Sequence, residues 1–128
     1  MSDSAFQPDV VSLRPFVPAK DFEASVRFYA DLGFTIRPID AGLAIAELGP
    51  FGFFIQKYDV PNFAENYMMQ LMVNDLDAWW RRIEALDLQT KYGITWKPRP
   101  PALQPWGLTV AYVADPTGVL WHLVQKPS

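Results

Sequence analysis

The chain carries nearly the same pattern twice. Arg14 to Phe34 reads as strand, Asp, amphipathic helix, and Met68 to Leu88 repeats it 54 positions later when Asp21 is set against Asp75. In that register Asp21-Phe22-Glu23-Ala24-Ser25-Val26-Arg27 faces Asp75-Leu76-Asp77-Ala78-Trp79-Trp80-Arg81, and Leu32 meets Leu86. The identities are few, but they fall at structural positions. Each Asp is placed to N-cap a helix, its carboxylate accepting from the free N–H groups of the first turn, and Glu23 or Asp77 adds charge that suits the helix dipole. Two copies of one unit imply a pseudo-symmetric fold.

Within the first copy, the pattern predicts a strand over Val11–Val17 after a loose terminus (Met1 to Pro8). Pro15 and Pro18 confine that strand to an edge or to pairing on one side. A helix from about Phe22 to Leu32 follows, with Phe22, Val26, Tyr29 and Leu32 on one face and Gly33 as its stop. Three strands then form a meander: Phe34 to Ile39, Leu43 to Leu48 and Gly52 to Tyr58, with turns at Asp40-Ala41-Gly42 and Gly49-Pro50. Asp59 to Asn66 is a connector. The second copy predicts a strand over Tyr67–Val73, a helix from Asp75 to about Leu86, and a strand over Leu88–Ile94. Lys97 to Pro105 is so rich in proline that an extended loop is expected there. Leu108–Val113 and Val119–Gln125 form a last hairpin through Asp115-Pro116-Thr117-Gly118, whose Asp, Pro and Gly sit where a type I turn wants them. Trp79 and Trp80 are adjacent on one helix, so one of them is expected to meet a partner chain or the other helix.

At 128 residues the chain suits a single domain, with module one over about 11–58 and module two over about 67–126. It contains no cysteine, which leaves no disulfide framework, no Cys-ligated zinc and no thiol nucleophile. No signal-peptide pattern and no apolar run of membrane-spanning length is seen, so a soluble, cytoplasmic protein is expected. A net charge of −3 argues against a nucleic-acid footprint, which needs a clustered basic face.

These residues resemble the glyoxalase/bleomycin resistance/dioxygenase superfamily, the vicinal oxygen chelate proteins, over roughly residues 11 to 126. The resemblance rests on Asp21 with Phe28-Tyr29 and Leu32-Gly33-Phe34, on Asp75-Leu76-Asp77, and on Asp115-Pro116-Thr117-Gly118 followed by Leu120-Trp121-His122-Leu123. Within it the closest likeness is to the bleomycin-binding resistance proteins, through Leu103-Gln104-Pro105-Trp106-Gly107, Pro18 and Ile39-Asp40-Ala41-Gly42. It implies an α+β fold in which two βαβββ modules, related by a pseudo-twofold, form an incomplete barrel around a cavity. It further implies a homodimer that sequesters a drug with a planar, cationic tail in grooves lined by both subunits. The same fold hosts lyases, dioxygenases and plain binders, so function has to be read from the site.

Enzymes of the superfamily hold a divalent metal at four places on the inner strands, and the matching positions here are Arg14, Phe54, Met68 and His122. Arg14 is permanently cationic, Phe54 has no lone pair, and the thioether of Met68 is a soft ligand for the borderline ions of this chemistry. Gln56 and Gln70, two residues further along the strands, improve the set little. A metal-independent binder with no cofactor and no catalytic residue is therefore expected; the alternative is a divalent-metal-dependent lyase or dioxygenase with a remodelled site built on His122, Gln56 and Gln70. No serine lies in a nucleophile-elbow pattern and no glycine-rich phosphate cradle is present.

Strand alternation puts Arg14 and Phe16, then Gly52, Phe54 and Gln56, then Met68, Gln70 and Met72, then Leu120, His122 and Val124 on the ligand-facing side. Val17, Phe53, Ile55, Leu71, Val73, Trp121 and Leu123 then pack under the helices. The expected ligand contacts are Trp106, Phe54, Gln56, Met68, Gln70, His122, Arg14 and Phe16, a surface suited to a flat, partly apolar molecule. Each has a plainer reading: core filling for Phe54, Met68 and Met72, a satisfied interior imidazole for His122, a loop anchor for Trp106. An inward Arg14 requires a nearby carboxylate, an anionic ligand group or exposure at the cavity mouth.

Overall fold

The computed structural model describes residues 6–60 and 62–128. Residues 1–5, which include most of the expected loose terminus, lie outside the described residues. The elements run β1 (Phe16–Ala19), α1 (Phe22–Leu32), β2 (Thr35–Asp40), β3 (Leu43–Leu48), β4 (Phe51–Lys57), a short 3-10 turn (Ala64–Asn66), β5 (Met68–Val73), α2 (Leu76–Leu86), α3 (Leu88–Tyr92), β6 (Arg99–Leu103), β7 (Thr109–Ala114) and β8 (Leu120–Gln125).

The duplication is real at the level of topology. One sheet has the order β1-β4-β3-β2 and the other β5-β8-β7-β6. In each, the first strand pairs in parallel with the last and the remaining pairs are antiparallel. Asp21 and Asp75 both cap as the sequence implies, each carboxylate accepting from the N–H three residues on at 3.1 Å. Gly33 ends α1 with φ 119°, a left-handed conformation that a side chain would strain, and its N–H closes back on Ala30 and Tyr29. No helix among the described residues is long and apolar enough to cross a membrane.

Three expectations need correction. The first strand is Phe16–Ala19 rather than Val11–Val17; Pro15 has no N–H to give, and its carbonyl accepts from Phe54 N at 2.9 Å as the first rung of the ladder. The segment before it is extended and open to solvent, with Val11 99% and Leu13 92% exposed. Leu88–Ile94 is not a strand but the short helix α3. Asp87 turns the chain through a left-handed conformation, and Leu88 and Tyr92, four apart on one helical face, then reach the core together. The proline-rich stretch is not a loop: Arg99–Leu103 is an edge strand paired only with β7. Its register shifts between Arg99 and Ala102, so Pro100 and Pro101 sit at the irregularity, where a missing donor is tolerated.

The core lies between the two sheets' helix-side faces. Val17, Phe53, Ile55, Trp121 and Leu123 are buried there, with Leu71 and Val73 half-buried against them, as alternation requires. Trp79 and Trp80 are both half-buried against this core, where α2 rests on β6 and β8 and touches α1, so neither needs a partner chain. Tyr29 sits at its centre, with the Phe53 ring at 5.0 Å, Phe28 at 5.1 Å, Trp121 at 5.6 Å and Phe34 at 5.7 Å. Its hydroxyl donates to Asp115 Oδ2 at 2.6 Å and accepts from Trp121 Nε1 at 2.9 Å. Asp115 Oδ1 in turn accepts the N–H groups of Thr117, Gly118 and Val119, each at 2.9 Å. A single buried chain of hydrogen bonds thus ties α1 of module one to the β7–β8 turn and β8 of module two.

A second tie lies nearer the surface. The Asp31 carboxylate accepts from Lys91 Nζ at 2.6 Å and Tyr92 Oη at 2.5 Å, while its carbonyl oxygen accepts from Arg82. Burial alone would raise the Asp31 carboxyl, but the bonds from Lys91 and Tyr92 outweigh it and leave it below the usual value. Tyr92 is pushed up to about 12 by burial and by Asp31.

Tyr29→Phe leaves the Asp115 carboxylate and the Trp121 N–H without their buried partner, and the expected loss of stability is about 2–4 kcal/mol in urea unfolding. Burial, reinforced by the charge of Asp115, raises the Tyr29 hydroxyl well above its ordinary value. A raised tyrosine contributes stability fully below its unfolded pKa of about 10 and loses it as pH rises beyond that. The urea midpoint of the wild type is therefore expected to fall above about pH 10, and less steeply in Tyr29→Phe; equal slopes would contradict the assignment.

Candidate functional site

The barrel is incomplete: the strand faces opposite the core are only partly covered, with Ile45, Val110 and Val124, the last expected on the ligand-facing side, buried on them, and the expected contact residues divide among three places, with Trp106 apart from all three. The first is the open face of β1 and β4. Phe16 and Phe54, cross-strand partners, stack at 4.4 Å between ring centres with planes 14° apart, and Phe16 remains 47% exposed. Gln56, two residues along, lies with Phe16, Pro18, Tyr58, Val60 and Phe63 around an open groove of about 540 Å³. Tyr58 and Phe63 meet edge to face, and Phe63 meets Tyr67 likewise. Phe63 was not identified from the sequence because it lies in the Asp59–Asn66 connector, where no strand alternation assigns a face; Tyr58 ends an expected strand, and alternation from Phe54 and Gln56 was the available signal for it.

The second place is the open face of β5 and β8. Met68 is 63% exposed, and its Sδ lies 3.4 Å from His122 Nε2. Gln70 is the direct cross-strand partner of His122, and Met72 lies on the same face. Tyr112 on β7, also missed by the sequence reading, pairs with His122 across the strands and meets its ring edge-on at 4.9 Å. Burial lowers the His122 pKa, which favours the neutral imidazole with one lone pair and one N–H. Trp106 stands apart at the tip of the β6–β7 loop, 60% exposed. Bonds from Gln104 N to Leu108 O and from Gly107 N to Gln104 O, both 2.9 Å, close that loop, and Gly107 takes the positive φ of 94° it needs.

The third place is a cleft of about 220 Å³ between the modules, lined by Arg14 and Gln70 among others. Arg14 Nη2 lies 3.4 Å from Glu47 Oε2, which also faces Arg37 Nη2 at 3.3 Å. The carboxylate that an inward Arg14 demanded is therefore Glu47 on β3. The partners are 33 positions apart, so only the fold joins them.

The four superfamily metal positions do not form a donor set. Arg14 is engaged with Glu47, Phe54 is stacked on Phe16, and only Met68 and His122 come together. Among the described residues no three His, Asp or Glu side chains gather. One thioether beside one imidazole does not fit the borderline divalent ions of that chemistry, so no step is derived through a metal.

His122 is the chain's single histidine, so its imidazole C–H proton signal is unambiguous in a nuclear magnetic resonance titration. The expected midpoint lies below the ordinary value of about 6.5. A midpoint at or above it would place the ring in solvent rather than between Met68 and Tyr112.

No protein-family model matches the chain. It is 31% identical over 113 residues to a bleomycin resistance protein of Klebsiella pneumoniae, covering 88% of this chain and 90% of that one. The crystal structure of a bleomycin-binding protein complexed with bleomycin superposes with a TM-score of 0.78 at 29% identity, over 91% of this chain and 98% of that one. A bleomycin-binding protein from bleomycin-producing Streptomyces verticillus, complexed with copper(II)-bleomycin, gives 0.76 at 27% identity, over 94% and 100%. With relatedness running through both modules, this chain belongs to the bleomycin resistance protein family.

Proposed function

We propose that the protein is a metal-independent binder that sequesters bleomycin or a similar planar, amphiphilic molecule. In this reading it works in the cytoplasm as a homodimer, and each module of one domain lends one wall to a groove completed by the partner. The observation that carries the reading is the pair of partly uncovered faces, on which Phe16, Met68 and Met72 remain exposed. The Phe16, Phe54, Gln56 wall and the Met68, Gln70, His122 wall are strand surfaces of mixed apolar and amide character, and neither covers the other within the chain. Such surfaces suit a flat ligand, which stacks on rings and thioether while the amides fix its orientation. Trp106, exposed on a loop closed by backbone hydrogen bonds, serves as a stacking platform at the rim. The exposed apolar side chains of Val10, Val11 and Leu13 ahead of β1 add a second reason for a partner, since a contiguous apolar segment in water marks an interaction site.

The test is calorimetric titration of chelator-treated protein with metal-free bleomycin, paired with light scattering to give the mass in solution. The expected result is a particle of twice the 14.6 kDa chain mass with one drug bound per chain. Trp106→Ala is expected to weaken binding by about 1–3 kcal/mol, roughly fivefold to 150-fold. No heat with the drug, or binding that appears only after a divalent metal is added to the protein, would overturn the reading.

A further inference from the structure

We propose that the cleft between the two modules is a second ligand site, selective for a small carboxylate with an apolar body the size of one ring. The cleft opens beside the segment before β1, the β3–β4 turn and the edge strand β5. Its floor is apolar and largely aromatic, formed by Phe34, Phe53, Trp121 and Leu71, and its mouth carries Ser12, Arg14 and Gln70. At about 220 Å³ it falls below the roughly 300–1,000 Å³ of sites that hold drug-sized molecules, so it is too small for a glycopeptide and large enough for a benzoate.

Charge decides the ligand's sign. Among the described residues Arg14 is the sole charged side chain lining the cleft, and only about a quarter of it is exposed. Its counter-ion is shared, because Glu47 faces both Arg14 and Arg37, leaving two guanidinium groups to one carboxylate. The contacts, 3.3–3.4 Å, are longer than the roughly 2.7–2.9 Å of a well-made charge-assisted hydrogen bond, so Glu47 does not satisfy either guanidinium fully. Among the described residues Arg14 otherwise donates only to Ser12 Oγ, at 3.2 Å. A guanidinium carries five donors in a planar fork, which leaves room for an incoming carboxylate. Gly52 maintains the approach: a Cβ there would come within 3.0 Å of the Ala46 carbonyl oxygen and 3.4 Å of Arg14 Nε. A ligand with its carboxylate on Arg14 and its ring on the floor would satisfy the cation and fill the void together.

The experiment titrates the protein calorimetrically with three molecules that share a ring and differ in charge: benzoate, benzamide and benzylamine. Benzoate is expected to bind saturably at one site per chain, with benzylamine at least tenfold weaker and benzamide between them. Arg14→Gln should erase the preference for benzoate, and Arg14→Lys should retain part of it. Phe51 lines the rim and is 74% exposed, so Phe51→Glu alters the mouth without touching the core. A carboxylate placed there competes for Arg14 and is expected to cut benzoate affinity at least tenfold. If Arg14→Gln fails to fold, Phe51→Glu decides. Equal affinity for the three molecules, no benzoate heat up to about 10 mM, or unchanged benzoate binding in the folded variants would overturn the proposal. Bleomycin takes no part in these titrations, so their outcome is independent of the drug-binding reading.

Discussion

The hydroxyl of Tyr29 holds the two halves of this protein in register. Each module alone is a four-stranded sheet with one helix-covered face, and nothing in a duplicated pattern dictates how two such units sit against one another. The aromatic cluster supplies apolar burial but little direction. Direction comes from one phenol that donates to Asp115 and accepts from Trp121, in a site where an unmade bond would leave a carboxylate or an indole N–H stranded. Because Asp115 also accepts three N–H groups of the β7–β8 turn, the same carboxylate that shapes the last hairpin anchors it to α1. With the helix-side faces consumed in this way, the opposite faces of both sheets are left partly open, exposing Phe16, Met68 and Met72.

That division explains why the fold can serve binding. The buried side absorbs the large aromatic residues that make a stable core, and the open side carries Met68, His122, Phe16 and Gln56, residues that tolerate partial hydration and still offer contact area. The positions that in the wider superfamily carry metal ligands here hold a guanidinium, a phenyl ring, a thioether and one imidazole. In the proposed reading the scaffold is retained while the donor set is replaced by a contact surface, and affinity comes from shape and stacking rather than from coordination.

Much of the fold was legible because its signals are local. The capping Asp21 and Asp75, the Gly33 stop and the Asp115-Pro116-Thr117-Gly118 turn each act within a few residues, and α1 and β3 have the bounds their patterns predict. The misreadings arose where distant contacts override composition. Leu88 to Tyr92 is helical because Tyr92 reaches Phe28 and Asp31 on α1, and the proline-rich stretch is a strand because an edge position needs donors on one side only. The site was legible as a list but not as a place. Alternation correctly put Phe16 with Phe54 and Met68 with His122, yet it could not show that Arg14 turns to Glu47, that Tyr112 flanks His122, or that the faces stay apart within one chain. The first two follow from strand order within each module, which sets β3 and β7 beside β4 and β8; the last depends on how the modules dock, tied together by Tyr29 and Asp115, 86 positions apart.

The most direct test of the account is complementation between two crippled chains. Phe16→Ala removes one wall of the proposed groove and Trp106→Ala its rim, and each variant is first shown to bind metal-free bleomycin poorly as a homodimer. The two are then co-expressed and their mixed dimers titrated. If module one of one protomer completes the groove with module two of its partner, a mixed dimer rebuilds one intact groove, and roughly a quarter of all grooves in a random mixture recover wild-type affinity. A mixture that binds no better than either variant alone would show that the walls do not meet across subunits and would contradict the shared groove.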